Sequence, residues 1–384
     1  MSLPDSIPDS CVTLHARMVA QETVNPAFGG LPDGQSKLVG LLETWSRSWG
    51  LVTRRLPVGD GNENLLIIAE GPTASPGLLF DSHLDTVAIT GMTVAPLTAH
   101  EVNGRIYGRG TCDTKGSGAA MLWALAEFAR QPKRTQTVAL LFTTDEEVGM
   151  AGARAFARDQ LPAMLPNLRG IVVGEPTLLL PVVATNGILR WRTRTRGVAA
   201  HSSDPSRGRS AISAMMRVVD AFEGSYAPNV NRKHPLTGKS AASINVIRGG
   251  NQVNVIPDEC SIEVDRRLVP GETTEAAEAE MRQALAAFPE AEHDRFYSVP
   301  PLEEAAAAEF VRSLEPAFCT VGLPFVRGGA GYVSNGSIYA QAGAKIVVLG
   351  PGDIAQAHSK DEWLARVQLE AAVSLYLSLM RRPD

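Results

Sequence analysis

Hydrophobic and polar positions divide the chain into segments of different period. Apolar residues recur at helical spacing in four segments, at about 11–20, 35–50, 119–129 and 152–158. Short unbroken apolar runs occur between and beyond these segments, at 65–68, 78–80, 138–142, 171–173 and 346–349. Runs without alternation are typical of strands buried on both faces. The pattern therefore predicts an α/β fold with a mixed, mostly parallel sheet flanked by helices.

The middle of the chain follows another pattern. Apolar and polar residues alternate from Arg190 to Arg196 and from Glu259 to Leu268, which predicts half-exposed antiparallel strands. Helical spacing recurs at about 210–222 and 273–288. These segments together predict an α+β unit with a four-stranded sheet and two helices on one side.

The two patterns imply two domains, which suits a length of 384 residues. We expect the α+β unit to be an inserted lid domain over residues 182–296. The catalytic domain is then formed by residues 1–181 and 297–384 of the sequence.

Reactive side chains follow the ends of the predicted buried strands. They are His83 and Asp85 after 78–80, Asp145, Glu146 and Glu147 after 138–142, Glu175 after 171–173, and His358 after 346–349. Asp113 lies in a glycine-rich turn before the predicted helix at 119–129. Because ligands of open α/β sheets gather outside the carboxyl ends of the strands, we expect these side chains to converge.

The chemistry of this set points to divalent metals. Two histidines and several carboxylates, with no cysteine among them, suit zinc first, with cobalt or manganese as alternatives. The ligands suffice for two ions, with Asp113 as the candidate bridge. Only one of the adjacent glutamates can readily face the metals, so we expect Glu147 to be a ligand and Glu146 to be the general base. Asp85 is expected to orient His83. Metals that polarise a carbonyl beside such a base indicate hydrolysis of an amide as the expected reaction.

Composition narrows the classes of partner. A net charge of -5 with both signs interspersed argues against a nucleic-acid partner. The four cysteines form no Cys-x-x-Cys pair, which favours reduced thiols in the cytoplasm, and Cys112 is expected to pack. Met1–Asp5 lacks the features of a signal peptide, and no apolar run approaches the roughly 18 residues of a membrane span. The expected partner is a small molecule.

In this order the motifs resemble the M20 family of metallo-amidohydrolases and peptidases over nearly the whole chain. The motifs are His83-Leu-Asp85-Thr, Gly108-Arg-Gly-Thr-Cys-Asp113-Thr-Lys-Gly116, Asp145-Glu146-Glu147, Gly174-Glu175-Pro-Thr177 and Ala357-His358. The resemblance implies two metal sites, whose ligands would be His83, Asp113 and Glu175 at one and Asp113, Glu147 and His358 at the other. It also implies that Glu146 is the base, that Asp85 supports His83, and that the lid mediates homodimerisation.

Two segments of the predicted lid resemble parts of the family that contact substrate. The segment Gly197–Ser203 resembles a loop whose histidine, here His201, reaches across the dimer and stabilises an oxyanion. The segments that contain Asn254 and Arg267 resemble those that bind a substrate carboxylate, a group that a guanidinium pairs with well. The alternative for Arg267 is a solvated strand charge paired with Asp265.

Within the family, the chain most resembles deacylases of N-acyl amino acids. A desuccinylase, a dipeptidase or a carboxypeptidase of the same architecture is an alternative, and a non-catalytic amino-acid-binding protein is a more remote one. Two departures from the family pattern bear on the substrate: Asn186 where lysine is usual, and Asn335 where an acid is expected. If that acid recognises a substrate ammonium group, Asn335 favours a related N-acyl amino acid over one that carries the ammonium.

Overall fold

The structure is a computed structural model that describes residues 6–59 and 61–382. Met1–Asp5, on which the sequence argument against a signal peptide rests, lie outside the described residues. Within those two ranges, no helix combines the length and the apolar character needed to cross a bilayer.

Helices and strands alternate along much of the described chain. The helices are α1 (Cys11–Ala20), α2 (Gly34–Ser48), α3 (Lys115–Ala129), α4 (Ala151–Asp159), α5 (Leu161–Met164), α6 (Ala211–Ala221), α7 (Ala227–Asn229), α8 (Thr274–Ala284), α9 (Ala308–Val321), α10 (Asn335–Gln341) and α11 (Arg366–Met380). The strands are β1 (Val52–Gly59), β2 (Asn62–Ala69), β3 (Leu78–His83), β4 (His100–Val102), β5 (Arg105–Tyr107), β6 (Val138–Thr143), β7 (Gly170–Val173), β8 (Val182–Thr185), β9 (Gly187–Arg196), β10 (Ala200–His201), β11 (Lys233–His234), β12 (Gly238–Lys239), β13 (Ala241–Gly249), β14 (Val255–Ile256), β15 (Glu259–Leu268), β16 (Glu292–Val299), β17 (Gly328–Ala330), β18 (Ile346–Val348) and β19 (Trp363–Ala365).

The contacts divide the chain into two compact units. The first contains the residues up to Val183, the segment Glu304–Gly328 and the residues from Ser334 onward. The second contains Ala184–Glu303 and Gly329–Val333. That the second unit acts as a lid stays a prediction.

An eight-stranded sheet organises the first unit, in the order β1-β2-β6-β3-β7-β18-β8-β17. The central strands β6, β3, β7 and β18 pair in parallel, whereas β1, β2 and β8 pair antiparallel with their neighbours. Every residue of the four parallel strands is buried, as expected for strands covered on both faces. These strands are the ones that four of the unbroken apolar runs predicted.

Helices cover both faces of this sheet. The ring of Phe80 on β3 contacts Tyr376 of α11, with the ring centroids 5.5 Å apart. The next residue, Asp81, accepts a hydrogen bond from the Tyr339 hydroxyl of α10 at 2.9 Å. Because adjacent strand residues point to opposite faces, α11 and α10 lie on opposite sides of β3. Helix α3 packs beside α1 and α11, and nearly all of its residues are buried.

The second unit contains a four-stranded antiparallel sheet in the order β13-β15-β9-β16, with α6 and α8 packed against it. Burial alternates along β9 and β15, and the inward side chains Trp191, Ile262 and Val264 form a core with Met215 and Met281. The outward arginines of β9 are paired across the strands. The two units together confirm the predicted α/β fold class with its additional α+β sheet.

The sequence prediction differs from the structure at several elements, among them strand β1 and helix α8. Strand β1 was not predicted, because it is an edge strand whose residues are half-buried or exposed and which includes Pro57. Helix α8 ends at Ala284 and not near Phe288. Phe288 precedes Pro289, and the residue before a proline disfavours the helical conformation.

The buried His15 of α1 predicts a pH dependence of stability. Its Nε2 donates to the Thr111 carbonyl oxygen at 3.1 Å, and burial lowers the pKa of His15 to about 4. A histidine in the unfolded chain has a pKa near 6.5, so the unfolded chain binds the proton first as the pH falls. The folded state therefore loses stability between about pH 6.5 and pH 4.

His15→Gln replaces the imidazole N–H with an amide N–H donor that takes up no proton in this pH range. We expect it to remove about 2 kcal/mol of the difference in unfolding free energy between pH 7 and pH 5. Urea unfolding of the metal-free chain at both pH values measures this difference. His100→Gln, at an exposed histidine, is the control. An unaltered pH dependence in His15→Gln would contradict the prediction.

Candidate metal centre

Three side chains that could bind a metal ion meet at the carboxyl ends of the parallel strands. His83 ends β3, Asp113 lies in the turn before α3, and Glu147 lies in the loop after β6. One ligand atom from each of the three lies within 4.8 Å of the others. The loops after neighbouring parallel strands thus bring together residues that are far apart in the sequence.

Asp113 lies between two histidines. Its Oδ1 is 3.1 Å from His83 Nε2, and its Oδ2 is 3.5 Å from His358 Nε2. Glu175 Oε1 lies 3.9 Å from His83 Nε2, and Glu147 Oε2 lies 3.1 Å from His358 Nε2. The side chains therefore form two groups, His83 with Glu175 and His358 with Glu147, that share Asp113.

The site concentrates acidic groups away from water. Asp85, Asp113 and Glu175 are more than nine-tenths buried. Burial raises the pKa of Glu175 and of the partly buried Glu146 well above that of a free glutamate. In the described parts of the chain, the salt bridges of Asp113, Glu147 and Glu175 are with histidines, not with lysine or arginine. Buried carboxylates without paired cations are costly, so this arrangement favours bound cations.

The donor atoms fit a divalent metal. Imidazole nitrogens and carboxylate oxygens face each other, which is the donor set of zinc, cobalt and manganese sites. The neighbouring Cys112 has a different role. Its thiol is buried and donates to the Asp353 carbonyl oxygen at 3.5 Å, and burial raises the pKa of the thiol well above the ordinary value. A protonated, enclosed thiol packs and does not bind metal.

Asp85 supports the site differently from the sequence prediction. His83 Nδ1 donates to the main-chain carbonyl oxygen of Asp85 at 2.9 Å, which directs Nε2 toward Asp113. The Asp85 carboxylate is farther away, with Oδ1 3.7 Å from Nδ1. It instead accepts the main-chain N–H groups of Glu146 at 3.0 Å and Glu147 at 3.1 Å. Asp85 thus orients His83 through its carbonyl oxygen and fixes the main chain of Glu146 and Glu147 through its carboxylate.

Asn25 is a site residue that the sequence analysis missed. Its Nδ2 donates to Asp85 Oδ2 at 2.9 Å and to Asp145 Oδ1 at 3.0 Å, and the residue is buried. Asp145 has a left-handed backbone with φ 66°, a conformation that aspartate tolerates better than most residues and that is common at functional sites. The Asn-Pro dipeptide at 25–26 indicated only a turn.

The remaining predicted residues lie in the second unit and have local partners. His201 is exposed, and its Nδ1 lies 2.7 Å from the Ser203 hydroxyl. Asn254 is also exposed. It lies near His201, because its carbonyl oxygen accepts the Ser202 N–H at 3.0 Å. Arg267 Nε donates to Asp265 Oδ1 at 2.8 Å. The substrate roles of His201, Asn254 and Arg267 stay predictions.

Asn335 is buried and has its partners inside the protein. Its Nδ2 donates to Asp81 Oδ2 at 3.1 Å and to the Thr143 hydroxyl at 2.9 Å, and the residue is 1% exposed. Burial raises the pKa of Asp81 to about 6. A second carboxylate at position 335 would face Asp81 directly, so an amide is favoured there for reasons unrelated to a substrate. The expectation that Asn335 reports on a substrate ammonium group is therefore wrong.

Comparison with known sequences places the chain among metal-dependent hydrolases. A profile described as Peptidase family M20/M25/M40 matches residues 79–382. An acetylornithine deacetylase of Edwardsiella ictaluri (strain 93-146) is 29% identical over 372 residues, which cover 93% of each chain.

Solved structures share the fold. An M20 family metallo-carboxypeptidase of Sulfolobus solfataricus superposes with a TM-score of 0.81 at 15% identity, over 97% of this chain and 99% of that one. A dinuclear metal-binding peptidase of the M20 family from Bacillus subtilis superposes with a TM-score of 0.70 at 16% identity, over 96% of each chain.

The contact between Asn335 and Asp81 predicts how a second carboxylate at this place changes the stability of the fold. In Asn335→Asp, two carboxylates share one buried space, and we expect the unfolding free energy at pH 8 to fall by about 1–3 kcal/mol. The double variant Asp81→Asn/Asn335→Asp exchanges the two groups and should recover most of that loss. Urea unfolding of the metal-free variants measures both effects.

Asn167→Asp is the matched control, because Asn167 is exposed in the same unit, and its effect should stay within about 0.5 kcal/mol. Additive effects of the substitutions at positions 81 and 335 would show that these side chains do not share the contact described.

Proposed function

The chain belongs to peptidase family M20/M25/M40, and from that premise we propose that it hydrolyses N2-acetylornithine to ornithine and acetate. It is a metallo-amidohydrolase. The observation that carries the proposal is the sharing of Asp113 between the groups His83 with Glu175 and His358 with Glu147. The substrate rests on the acetylornithine deacetylase relative and on the likeness of the segments Met150–Arg154, Gly174–Pro181, His201–Gly208 and Gly350–Glu362 to that enzyme.

Two divalent ions fit the residues of the site. His83, Asp113 and Glu175 would bind one, and Asp113, Glu147 and His358 the other, with zinc favoured and cobalt or manganese as alternatives. When bound, such ions act as Lewis acids that polarise the acyl carbonyl and make a water molecule more acidic. The similarity to the dinuclear metal-binding peptidase of Bacillus subtilis supports a pair of ions.

Glu146 supplies the proton transfers. Its main chain is fixed by the Asp85 carboxylate, and its side chain lies among the acids of the site. Its carboxylate takes a proton from the attacking water as the water oxygen bonds to the acyl carbon. It then returns that proton to the amine nitrogen as the C–N bond breaks, which gives an amine and a carboxylic acid. The acid proton then passes to the amine, so the products at neutral pH are an ammonium ion and a carboxylate.

The second unit supplies substrate contacts in this proposal. Arg267 and Asn254 would hold the α-carboxylate of the substrate, because a guanidinium and an amide are suited donors to it. His201 would donate to the carbonyl oxygen as negative charge develops there. We propose that His201 acts on the site of the partner in a homodimer formed through this unit.

A substrate comparison tests the proposed function. The zinc-loaded and the cobalt-loaded protein should hydrolyse N2-acetylornithine with a higher kcat/KM than N-succinyl-diaminopimelate or dipeptides. A higher kcat/KM on either competitor would transfer the assignment to a desuccinylase or a dipeptidase. A chain that binds amino acids but holds no metal and turns over none of these compounds would be a binding protein.

Glu146→Gln serves as the control for the chemistry. It should retain both metals while kcat falls by about 10²–10⁴-fold, the range expected for loss of a general base. Glu70→Gln, at an exposed glutamate, should turn over normally. Unchanged turnover in Glu146→Gln would remove this residue as the base.

Mixing two inactive variants tests the position of His201. Heterodimers of Glu146→Gln and His201→Ala contain one site with both residues intact only if His201 acts across the dimer. Equal mixing with subunit exchange should then restore about a quarter of the wild-type kcat. Exchange is followed by native mass spectrometry, and the separate homodimers are the baseline. Baseline activity after complete exchange would place His201 in its own chain's site.

A further inference from the structure

Glu362 has a buried carboxylate that the proposed reaction does not use. It is 0% exposed and lies just before β19. Its Oε1 accepts the main-chain N–H groups of Cys112 at 2.8 Å and Asp113 at 3.1 Å. Its Oε2 accepts Arg109 Nη1 at 2.8 Å and the Gly110 N–H at 3.0 Å. One carboxylate thus satisfies four donors of the turn that presents Asp113.

The segment that carries His358 is joined to the same turn. The Gly108 N–H donates to the Glu362 carbonyl oxygen at 3.1 Å, and β19 pairs with β5, which leads into the turn. His358 has a side chain that is 55% exposed and a left-handed backbone with φ 60°, and its Nε2 lies 3.1 Å from Glu147 Oε2. Two residues after His358, the Lys360 carbonyl oxygen accepts the Thr93 N–H at 2.8 Å. Glu362 is the residue of this segment that joins it to the turn that presents Asp113.

We propose that Glu362 is a positioning residue that sets the spacing between Asp113 and His358, and thereby the affinity of the metal ion that these two residues share. The inference rests on the proposed two-metal function. Glu362 is not a ligand of that ion. It acts through the main chain of Asp113 on one side and through the segment 358–362 on the other.

The four donors require a carboxylate. Each of its oxygens accepts two hydrogen bonds, and a glutamine would direct an NH₂ group at two of these donors. Arg109 Nη1 lies 2.8 Å from Glu362 Oε2 and balances its charge. Both side chains are buried, so neither is accessible to a substrate. Groups that orient metal ligands typically change metal affinity by about 10–100-fold when they are replaced.

Metal affinity, measured without substrate, tests this inference. Full-length wild type, Glu362→Gln and Glu362→Asp are stripped of metal and titrated with Zn²⁺ against a chromophoric chelator. We expect two binding steps in the wild type. In each variant one step should weaken by about 10–100-fold. The other step should weaken clearly less, because His83 and Glu175 remain in place for the ion that they hold together with Asp113. Glu362→Asp keeps the charge but shortens its reach, so it decides the question if the glutamine variant does not fold.

Glu370→Gln is the matched control, since Glu370 is a solvent-exposed acid that pairs with Arg366 on α11. It should bind both ions as the wild type does. Two unchanged steps in a folded Glu362 variant would overturn the inference and leave the proposed function intact. Equal weakening of both steps, together with a lower melting temperature of the metal-free variant, would show a general structural role and also overturn it. A wild type with fewer than two steps would overturn the two-metal proposal itself.

Discussion

The position of Asp113 is the constraint on which the site depends. Its two carboxylate oxygens face different histidines, so both ligand groups form only while this one side chain keeps its orientation. Two contacts of the turn that contains Asp113 fix this orientation. Glu362 accepts main-chain N–H groups of the turn, and His15 bonds to the Thr111 carbonyl oxygen. The same acids that give the site its ligands leave it short of positive charge. The carboxylates of the site therefore repel one another, and bound cations would relieve that repulsion.

The sequence predicted the parallel strands and the side chains that converge at their ends because both leave a pattern in residue type. Buried parallel strands are unbroken apolar runs, and a histidine or acid directly after such a run is conspicuous. The contacts that orient these ligands were not visible. Asp85 holds His83 with a main-chain carbonyl, and Glu362 accepts main-chain N–H groups. Because all residues have the same main-chain carbonyl and nearly all the same N–H group, such a contact leaves no motif in the sequence. Asn335 was misinterpreted for a related reason, since its partner Asp81 is distant in sequence.

In the second unit, the sequence predicted the strands more fully than the ion pairs of their outer face. Its alternating strands were predicted well, because one face packs and the other meets water. The arginines of that outer face are paired with acids on neighbouring strands, as Arg190 is with Asp265. Asp265 also pairs with Arg267, so a substrate carboxylate that bound Arg267, as we propose, would compete with an acid already in place.

The order of segments in the first unit bears on how the protein is made. Strand β18 pairs with β7 inside the central sheet, and His358 follows β18, yet the whole second unit lies between these strands in the chain. Domains tend to fold as they emerge from the ribosome, so Ala184–Glu303 is complete before the first unit can close. Under the proposed function, metal loading of the shared site would consequently be a late step of biosynthesis. A nascent chain that stalled before residue 358 would carry every other proposed ligand and still lack a finished centre.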